Sequence, residues 1–433
     1  MRRHENRYVA LPNSGQDEAR LRWLFLDLNS YFASVEQQER PELRGKPIIV
    51  TPVDSDRTCA IAASYEAKAY GIRTGTLVRD AKRMCPDVKL VSARHDYYVE
   101  YHHRIVDEIE RHLHVTKAHS IDEVACELLG AERQTKNALA LAKDVQQGIL
   151  SRVGECLRSS IGLGPSVLLA KTGSDMKKPG GLTVLGADKL PGPLLDLDLQ
   201  DLCGIGRRME PRLRAAGVND VAALWDLSPS RARAVWGSIA GERFWYALHG
   251  TDPPEIETER HSISHSHVLG PALRNVDAAY LVARRLLSRA SSRLRRAEHK
   301  AGGLSVWIGM KNKAYRDAST RLPATADTFQ LLQTLDNLWR DAVRPRERLE
   351  VMQVGVVLYA LTPVSAIAPD LFGWTPDKTE NARHLHLSTA IDRLNQKYGS
   401  DTVSIGVAPA ALPGYMGAKI AFDRIPDRED FAG

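Results

Sequence analysis

Between Val115 and Leu129 an apolar run is broken by His119-Ser120-Ile121-Asp122-Glu123, and these two adjacent carboxylates constrain the chain more than any other feature. The apolar positions on either side predict two short strands meeting in a hairpin, with Asp122 and Glu123 near its tip. A third carboxylate, Asp27, ends the strand-like run Trp23-Leu24-Phe25-Leu26, and a helical pattern begins near Ser30. If the strands lie side by side, three carboxylates converge, and like charges at close quarters call for a cation. Hard oxygen donors with open positions suit Mg²⁺, which takes its remaining ligands from water and substrate phosphates. Two such ions, ~3.5–4 Å apart, stabilise the attacking and leaving oxygens of a phosphoryl transfer. Taken singly, an Asp before a helix is usually an N-cap, and an Asp-Glu pair at a hairpin is usually solvated. Only the combination points to a metal site.

Composition narrows the setting. The 433 residues allow two to four domains with buried cores. A formal charge of +6 and a pI near 9.0 bias the chain mildly toward polyanionic partners. Five scattered cysteines, with no C-x-x-C pair, imply neither a zinc site nor a disulfide framework and fit a reducing cytoplasm. Residues 1–20 are polar, basic and aperiodic, which predicts a mobile leader, and no run reaches membrane-spanning length. The expectation is a soluble cytoplasmic protein with no membrane partner.

Along the chain, Pro47 to Thr51 and Cys59 to Ala63 read as strands, the second entering the helical Ser64-Tyr65-Glu66-Ala67-Lys68 segment that Gly71 closes. Helices are predicted over Leu77–Met84, Tyr97–Leu113 and Thr135–Val153, with strands at Val88–Val91 and Leu157–Leu163. Gly164-Pro165-Ser166 opens a further helix carrying Leu169-Ala170-Lys171, which Asp175-Met176-Lys177-Lys178-Pro179 ends. Mixed strands and helices with acidic strand ends suggest an α+β multidomain chain built on a ferredoxin-like palm with a small insertion.

Four stretches in this order, Asp27-Leu28-Asn29-Ser30-Tyr31-Phe32, Tyr65-Glu66-Ala67-Lys68, Ser120-Ile121-Asp122-Glu123 and Leu169-Ala170-Lys171 with Asp175 to Pro179, resemble the Y-family translesion DNA polymerases over roughly residues 21 to 362. The resemblance implies a DNA-directed DNA polymerase that takes primer-template DNA and dNTPs and acts in DNA damage tolerance. It implies two Mg²⁺ ions held by Asp27, Asp122, Glu123 and the Leu28 carbonyl. Tyr65, Lys68 and Lys171 match triphosphate-holding positions, Phe32 matches the aromatic that lies against the incoming sugar, and Tyr31 stands beside it at the nucleotide. Many relatives carry an aspartate in place of Asn29 and an arginine in place of Lys68. Those two residues resemble the branch containing the polymerase V catalytic subunit, and a lysine cannot fork onto phosphates as an arginine does.

The implied layout is a leader at 1–20, a palm at 21–38 and 95–185, fingers at 39–94, a thumb at 186–253, a little finger at 260–362 and a tail at 363–433. Gly204-Ile205-Gly206, between the pattern ending at Leu202 and the helix Arg207–Ala216, resembles a helix-hairpin-helix whose glycines let backbone N–H groups meet a DNA phosphate. Ser228-Pro229 starts another helix. Beyond a linker at 252–259, a strand at Ser262–Val268, a helix at Val276–His299, strands at Leu304–Met310 and Ala318–Leu322, a helix at Asp327–Val343 and a strand at Val351–Leu361 spell βαββαβ. From Arg260 to Lys300 nine Arg or Lys face only Asp277 and Glu298. A charge run is usually a solvated face, but here Arg284, Arg285, Arg289 and Arg293 are the expected duplex-gripping residues.

A helix at Leu387–Tyr398 and a strand-like Thr402–Val407 are expected in the tail, and Asp370-Leu371-Phe372 is the expected sliding-clamp peptide. No further acidic constellation suggests a proofreading exonuclease. Two rivals stand beside this reading: a catalytically weak DNA-binding mutasome component, and a nucleotidyl cyclase. The intact carboxylate triad argues against the first, and a cyclase has no use for the hairpin or the basic helix.

Overall fold

The computed structural model describes residues 21–56, 58–254, 260–311, 314–343, 349–366, 378–399, 401–406 and 425. They fall into two compact units, one comprising residues 21–254 with residue 425 and one comprising residues 260–406.

The first unit begins with β1 (Trp23–Leu28), α1 (Tyr31–Glu39), β2 (Ile48–Thr51), β3 (Ala62–Ala63), α2 (Tyr65–Lys68), α3 (Val78–Met84) and β4 (Lys89–Ser92). It continues through α4 (His95–Ile109), β5 (Lys117–Ser120), β6 (Glu123–Glu127), α5 (Thr135–Gly148), β7 (Ser159–Gly164), α6 (Val167–Met176) and β8 (Leu182–Val184). It ends in α7 (Met209–Ala215), α8 (Val221–Trp225), α9 (Pro229–Trp236) and α10 (Ile239–Leu248). A five-stranded sheet in the order β5-β6-β1-β7-β8 is its centre, with β1 antiparallel to both neighbours. Every residue of β1 is buried, which accounts for its nearly unbroken apolar sequence. The helix α6 lies on β1 and β7 so closely that a Cβ at Gly162 would come within 1.9 Å of the Ala170 carbonyl oxygen. Only glycine permits that approach.

The insertion after α1 forms its own three-stranded sheet, β3-β2-β4, over a core that includes Ile49, Ala67, Ile72, Val78, Ala81 and Val88. The expected strand Cys59–Ala63 shrinks to two residues, and Cys59 makes only an isolated bridge to Leu77. The helices α7 to α10 bury a separate cluster around Leu202, Ile205, Leu213, Val221, Leu224 and Leu248. Ser228 caps α9 as its sequence predicts, accepting from the Arg231 N–H at 3.3 Å. Ahead of Gly204 the helix-hairpin-helix expectation is met only by single turns at Gly192–Leu194 and Leu199–Asp201, because prolines and aspartates interrupt that stretch.

The second unit comprises β9 (Ser262–Val268), α11 (Val276–Arg296), β10 (His299–Met310), β11 (Tyr315–Thr325), α12 (Thr328–Ala342) and β12 (Val351–Pro363), followed by α13 (Lys378–Tyr398). The βαββαβ order is as expected, in an antiparallel sheet β11-β10-β12-β9. Leu286, Leu287, Ala290 and Leu294 of α11 join Leu331 and Leu335 of α12 over Leu304, Val306, Val354 and Val356 of the sheet. The helix α13 begins before Leu387 and packs on both α11 and α12. Thr402 to Gly406 forms turns and bends rather than a strand. Asp370, Leu371 and Phe372 lie outside the described residues.

Candidate active site

Strand register brings the carboxylates together. Asp27 is the cross-strand partner of Glu123, so both side chains leave the sheet on one face, and Asp122 precedes Glu123 at the hairpin tip. The tip is tied to β1 by the Leu28 N–H, which donates to the Asp122 carbonyl at 2.8 Å. Ser120 Oγ donates to Asp122 Oδ1 at 2.6 Å. Behind it, His102 Nδ1 lies 2.8 Å from the Ile121 carbonyl oxygen, and burial lowers this histidine to about 4, so Nδ1–H is the donor of a neutral ring.

Asp27 and Asp122 are costly to charge. Burial, with Asp122 nearby, pushes Asp27 up to about 6 in spite of a lysine partner. Burial also raises Asp122, and Glu123 adds to it. Two lysines supply the counter-charge: Lys171 Nζ sits 2.7 and 2.9 Å from the Glu123 oxygens, and Lys178 Nζ sits 2.8 Å from Asp27 Oδ1 and 2.7 Å from Asp175 Oδ1. Burial alone would lower both ammoniums, yet these carboxylates hold them above the ordinary lysine range. With the side chains turned to these lysines, no cluster of three or more His, Cys, Asp or Glu is arranged around a common ion position among the described residues. The donor set nonetheless fits a hard divalent cation: it consists of carboxylates, it is desolvated, and its present counter-charges are mobile lysine heads. Sequence reasoning gave Lys178 no role. Its signal was the nearby Asp175, three residues back at the end of α6, whose carboxylate meets the Lys178 ammonium just beyond the helix.

The residues expected at the nucleotide divide. Phe32 is half-buried and stacks on Tyr98 with centroids 4.2 Å apart and planes 14° from parallel. Tyr31 is turned into the core, only 3% exposed, and its hydroxyl donates to the Tyr98 carbonyl at 2.6 Å, so its expected nucleotide contact is replaced by a structural one. Two aromatics at a helix start point to different sides because successive side chains diverge by about 100° around a helix of 3.6 residues per turn. Tyr65 opens α2 and Lys68 ends it, with the Lys68 ammonium 4.4 Å from the Tyr65 ring centre. Both lie within electrostatic reach of Asp27 and Lys178. Lys171 pairs with Glu123.

The expected DNA contacts also divide. Gly204 has φ +94°, and a Cβ at Gly206 would meet nothing within 4 Å, so this turn presents open backbone. The four arginines of α11 expected to grip a duplex each have a partner within their own unit. Arg284 pairs with Asp336 and Tyr280, Arg285 and Arg289 both pair with Asp401, and Arg293 donates to the Ser264 carbonyl at 3.2 Å. Arg295 grips Asp392 of α13 at 2.6 and 2.8 Å. Three arginines of α11 thus meet the segment that follows the sheet, Arg285 and Arg289 at Asp401 and Arg295 at Asp392.

Residues 26–175 match the model of the impB/mucB/samB family, and residues 260–371 match the C-terminal domain of that family. DNA polymerase IV of Moorella thermoacetica is 33% identical over 394 residues, covering 89% of this chain and 95% of that protein. DNA polymerase IV 1 of Bacillus subtilis is 27% identical over 389 residues, covering 88% and 91%. Among solved structures, a Y-family DNA polymerase chimera of Dbh and Dpo4 shares the fold with a TM-score of 0.67 at 22% identity, covering 79% of this chain and 99% of that one. The insertion ternary complex of Dbh DNA polymerase gives a TM-score of 0.52 over the same shares.

Proposed function

The chain belongs to the impB/mucB/samB family of Y-family DNA polymerases, and from that premise we propose that it extends a primer 3′-OH on a DNA template, in translesion synthesis. The observation that carries this reading is the register of Asp27 against Glu123, with Asp122 beside them in one desolvated patch. Asp27, Asp122, Glu123 and the Leu28 carbonyl would hold two Mg²⁺ ions. When bound, these ions supply charge neutralisation at the attacking and leaving oxygens.

The chain's own residues do the rest. The 3′ oxygen attacks the α-phosphorus, its proton passes to solvent water, and the bond to pyrophosphate breaks, so that pyrophosphate leaves with that bonding pair. Lys178 and Lys68, with the Tyr65 hydroxyl, meet the triphosphate as point charges and a donor. Lys178 must release Asp27 to do so, and the arriving phosphates offer it an equivalent anion. Phe32, braced by Tyr98, lies against the sugar and leaves no room for a 2′-hydroxyl. The domain limits are those of the family resemblance: palm 21–38 and 95–185, fingers 39–94, thumb 186–253, little finger 260–362. The open backbone at Gly204 and Gly206 suits a DNA phosphate. Asp370-Leu371-Phe372 is the proposed clamp peptide.

Incubation of the purified chain with a primed template and dNTPs tests the reading. Extension in Mg²⁺ that stops with EDTA is expected, and no extension by protein that binds the primed template would overturn it.

A further inference from the structure

Asn29, the residue that joins β1 to α1, has every polar atom engaged and is only 2% exposed. Its backbone N–H donates to the Arg158 carbonyl at 2.9 Å, and its carbonyl accepts from Ser34 Oγ at 2.8 Å. Its side-chain oxygen accepts from the Gly180 N–H at 2.8 Å and from Ser160 Oγ at 3.1 Å. Its amide nitrogen points back at Asp27, 3.4 Å from the carbonyl oxygen and 3.5 Å from Oδ1. Ser160 Oγ also reaches the Lys177 carbonyl at 3.3 Å, and the Ile161 N–H donates to the Gly181 carbonyl at 2.8 Å.

These bonds fasten the loop at Lys177, Gly180 and Gly181, on both sides of Lys178. Lys178 is the member whose side chain leaves the loop for Asp27. One buried amide therefore touches both the metal-ligand strand and the loop that presents the ammonium. An aspartate there would accept the same two bonds, from the Gly180 N–H and from Ser160 Oγ.

We propose that Asn29 is a positioning residue for nucleotide binding, fixing the Lys177–Gly181 loop so that Lys178 meets the triphosphate beside Asp27. The inference rests on the polymerase reading above and adds a residue that acts through another. It concerns nucleotide affinity, not grip on DNA, because no bond of Asn29 leaves the β1–α1 junction, the neighbouring strand and this loop.

The test measures equilibrium dATP binding, and KM and kcat for insertion opposite template dT, on a chain–primer-template complex, for wild type, Asn29→Ala and Asn29→Asp. Asn29→Ala is expected to raise the Kd and KM for dATP roughly tenfold, the scale of one lost buried hydrogen-bond set, with Kd for DNA within about twofold. Asn29→Asp, which keeps the two acceptor contacts, is expected to recover most of that loss. If Asn29→Ala does not fold, Ser160→Ala removes one donor to the same oxygen and is expected to raise the dATP Kd about twofold to threefold. Unchanged dATP binding in a folded Asn29→Ala or Ser160→Ala protein overturns the inference, as does an Asn29→Asp protein as impaired as Asn29→Ala. A wild-type chain that fails to extend a primer overturns the polymerase reading instead.

Discussion

The two places where this chain concentrates charge are built on opposite plans. At the hairpin tip, three carboxylates share a desolvated patch and are held by lysines at the ends of flexible stems, with Asp27 still pushed up to about 6. On α11 the arginines are settled: Arg285 and Arg289 share Asp401, Arg284 has Asp336, and Arg295 has Asp392. Asp401 falls below the ordinary carboxylate range because those arginines outweigh its burial. A site that must receive a ligand keeps its charge poorly satisfied, whereas a seam that must stay closed satisfies it. Charge count in a sequence does not separate the two.

The comparison is broken or sharpened by substitution, beginning with the largest effect. Asp27→Ala and Glu123→Ala are each expected to lower nucleotide incorporation by roughly 10³-fold or more. Asp27→Ala removes a desolvated carboxylate while Lys178 keeps Asp175, so its metal-free unfolding midpoint is expected to hold or rise. A large loss of stability would mean that the patch is structural.

Phe32→Ala is expected to raise the ratio of ribonucleotide to deoxynucleotide insertion by about 10²-fold, read as kcat/KM for the two sugars. Tyr31→Ala, which empties a core position and frees a carbonyl, is expected to lower stability and both insertions without moving that ratio. An unchanged ratio in an active Phe32→Ala enzyme would take Phe32 out of the sugar-sensing role.

The hairpin's support should respond to pH. His102 is about 4 in the folded chain against an ordinary 6.5, so between these values the unfolded chain binds more protons. Its contribution is complete above pH 6.5 and is lost as pH falls toward 4, by up to roughly 3 kcal/mol. Urea unfolding at pH 7.5, 6 and 5 is expected to show a smaller loss of stability toward acid in His102→Gln than in wild type. Equal slopes in both proteins would contradict the assignment.

On α11, Asp401→Ala is expected to cost about 1–3 kcal/mol, since two guanidiniums lose a partner that is only 14% exposed. Arg285→Ala with Arg289→Ala is expected to lower stability while leaving DNA affinity within about twofold. A tenfold loss of DNA affinity with a shallower salt slope would return this face to the duplex.

Much of this was legible in the sequence, and the misses share a cause. Asp27, Asp122 and Glu123 were readable because two strand patterns and a hairpin fix their register locally. The βαββαβ order followed from clean changes of period between α11, α12 and the strands around them. What a basic helix face touches is not local: Arg285 meets a residue 116 positions away, and nothing near Arg285 announces it. Tyr31 and Phe32 look alike in sequence, and only the position of Tyr98 gives one a carbonyl and the other a ring. Lys178 was passed over because its partner Asp27 is far away in sequence, at a strand end that only the tertiary fold brings to it.

The central claim is that the hairpin carboxylates drive template-directed nucleotide addition. The most direct measurement offers each of the four dNTPs singly, in Mg²⁺, to a primer facing one defined template base, with wild type and Asp122→Ala side by side. Addition by wild type of the complementary nucleotide in preference to the others, with none by a folded Asp122→Ala that still binds the primed template, is the expected result. Addition without regard to the template, or equal addition by Asp122→Ala, would contradict the account.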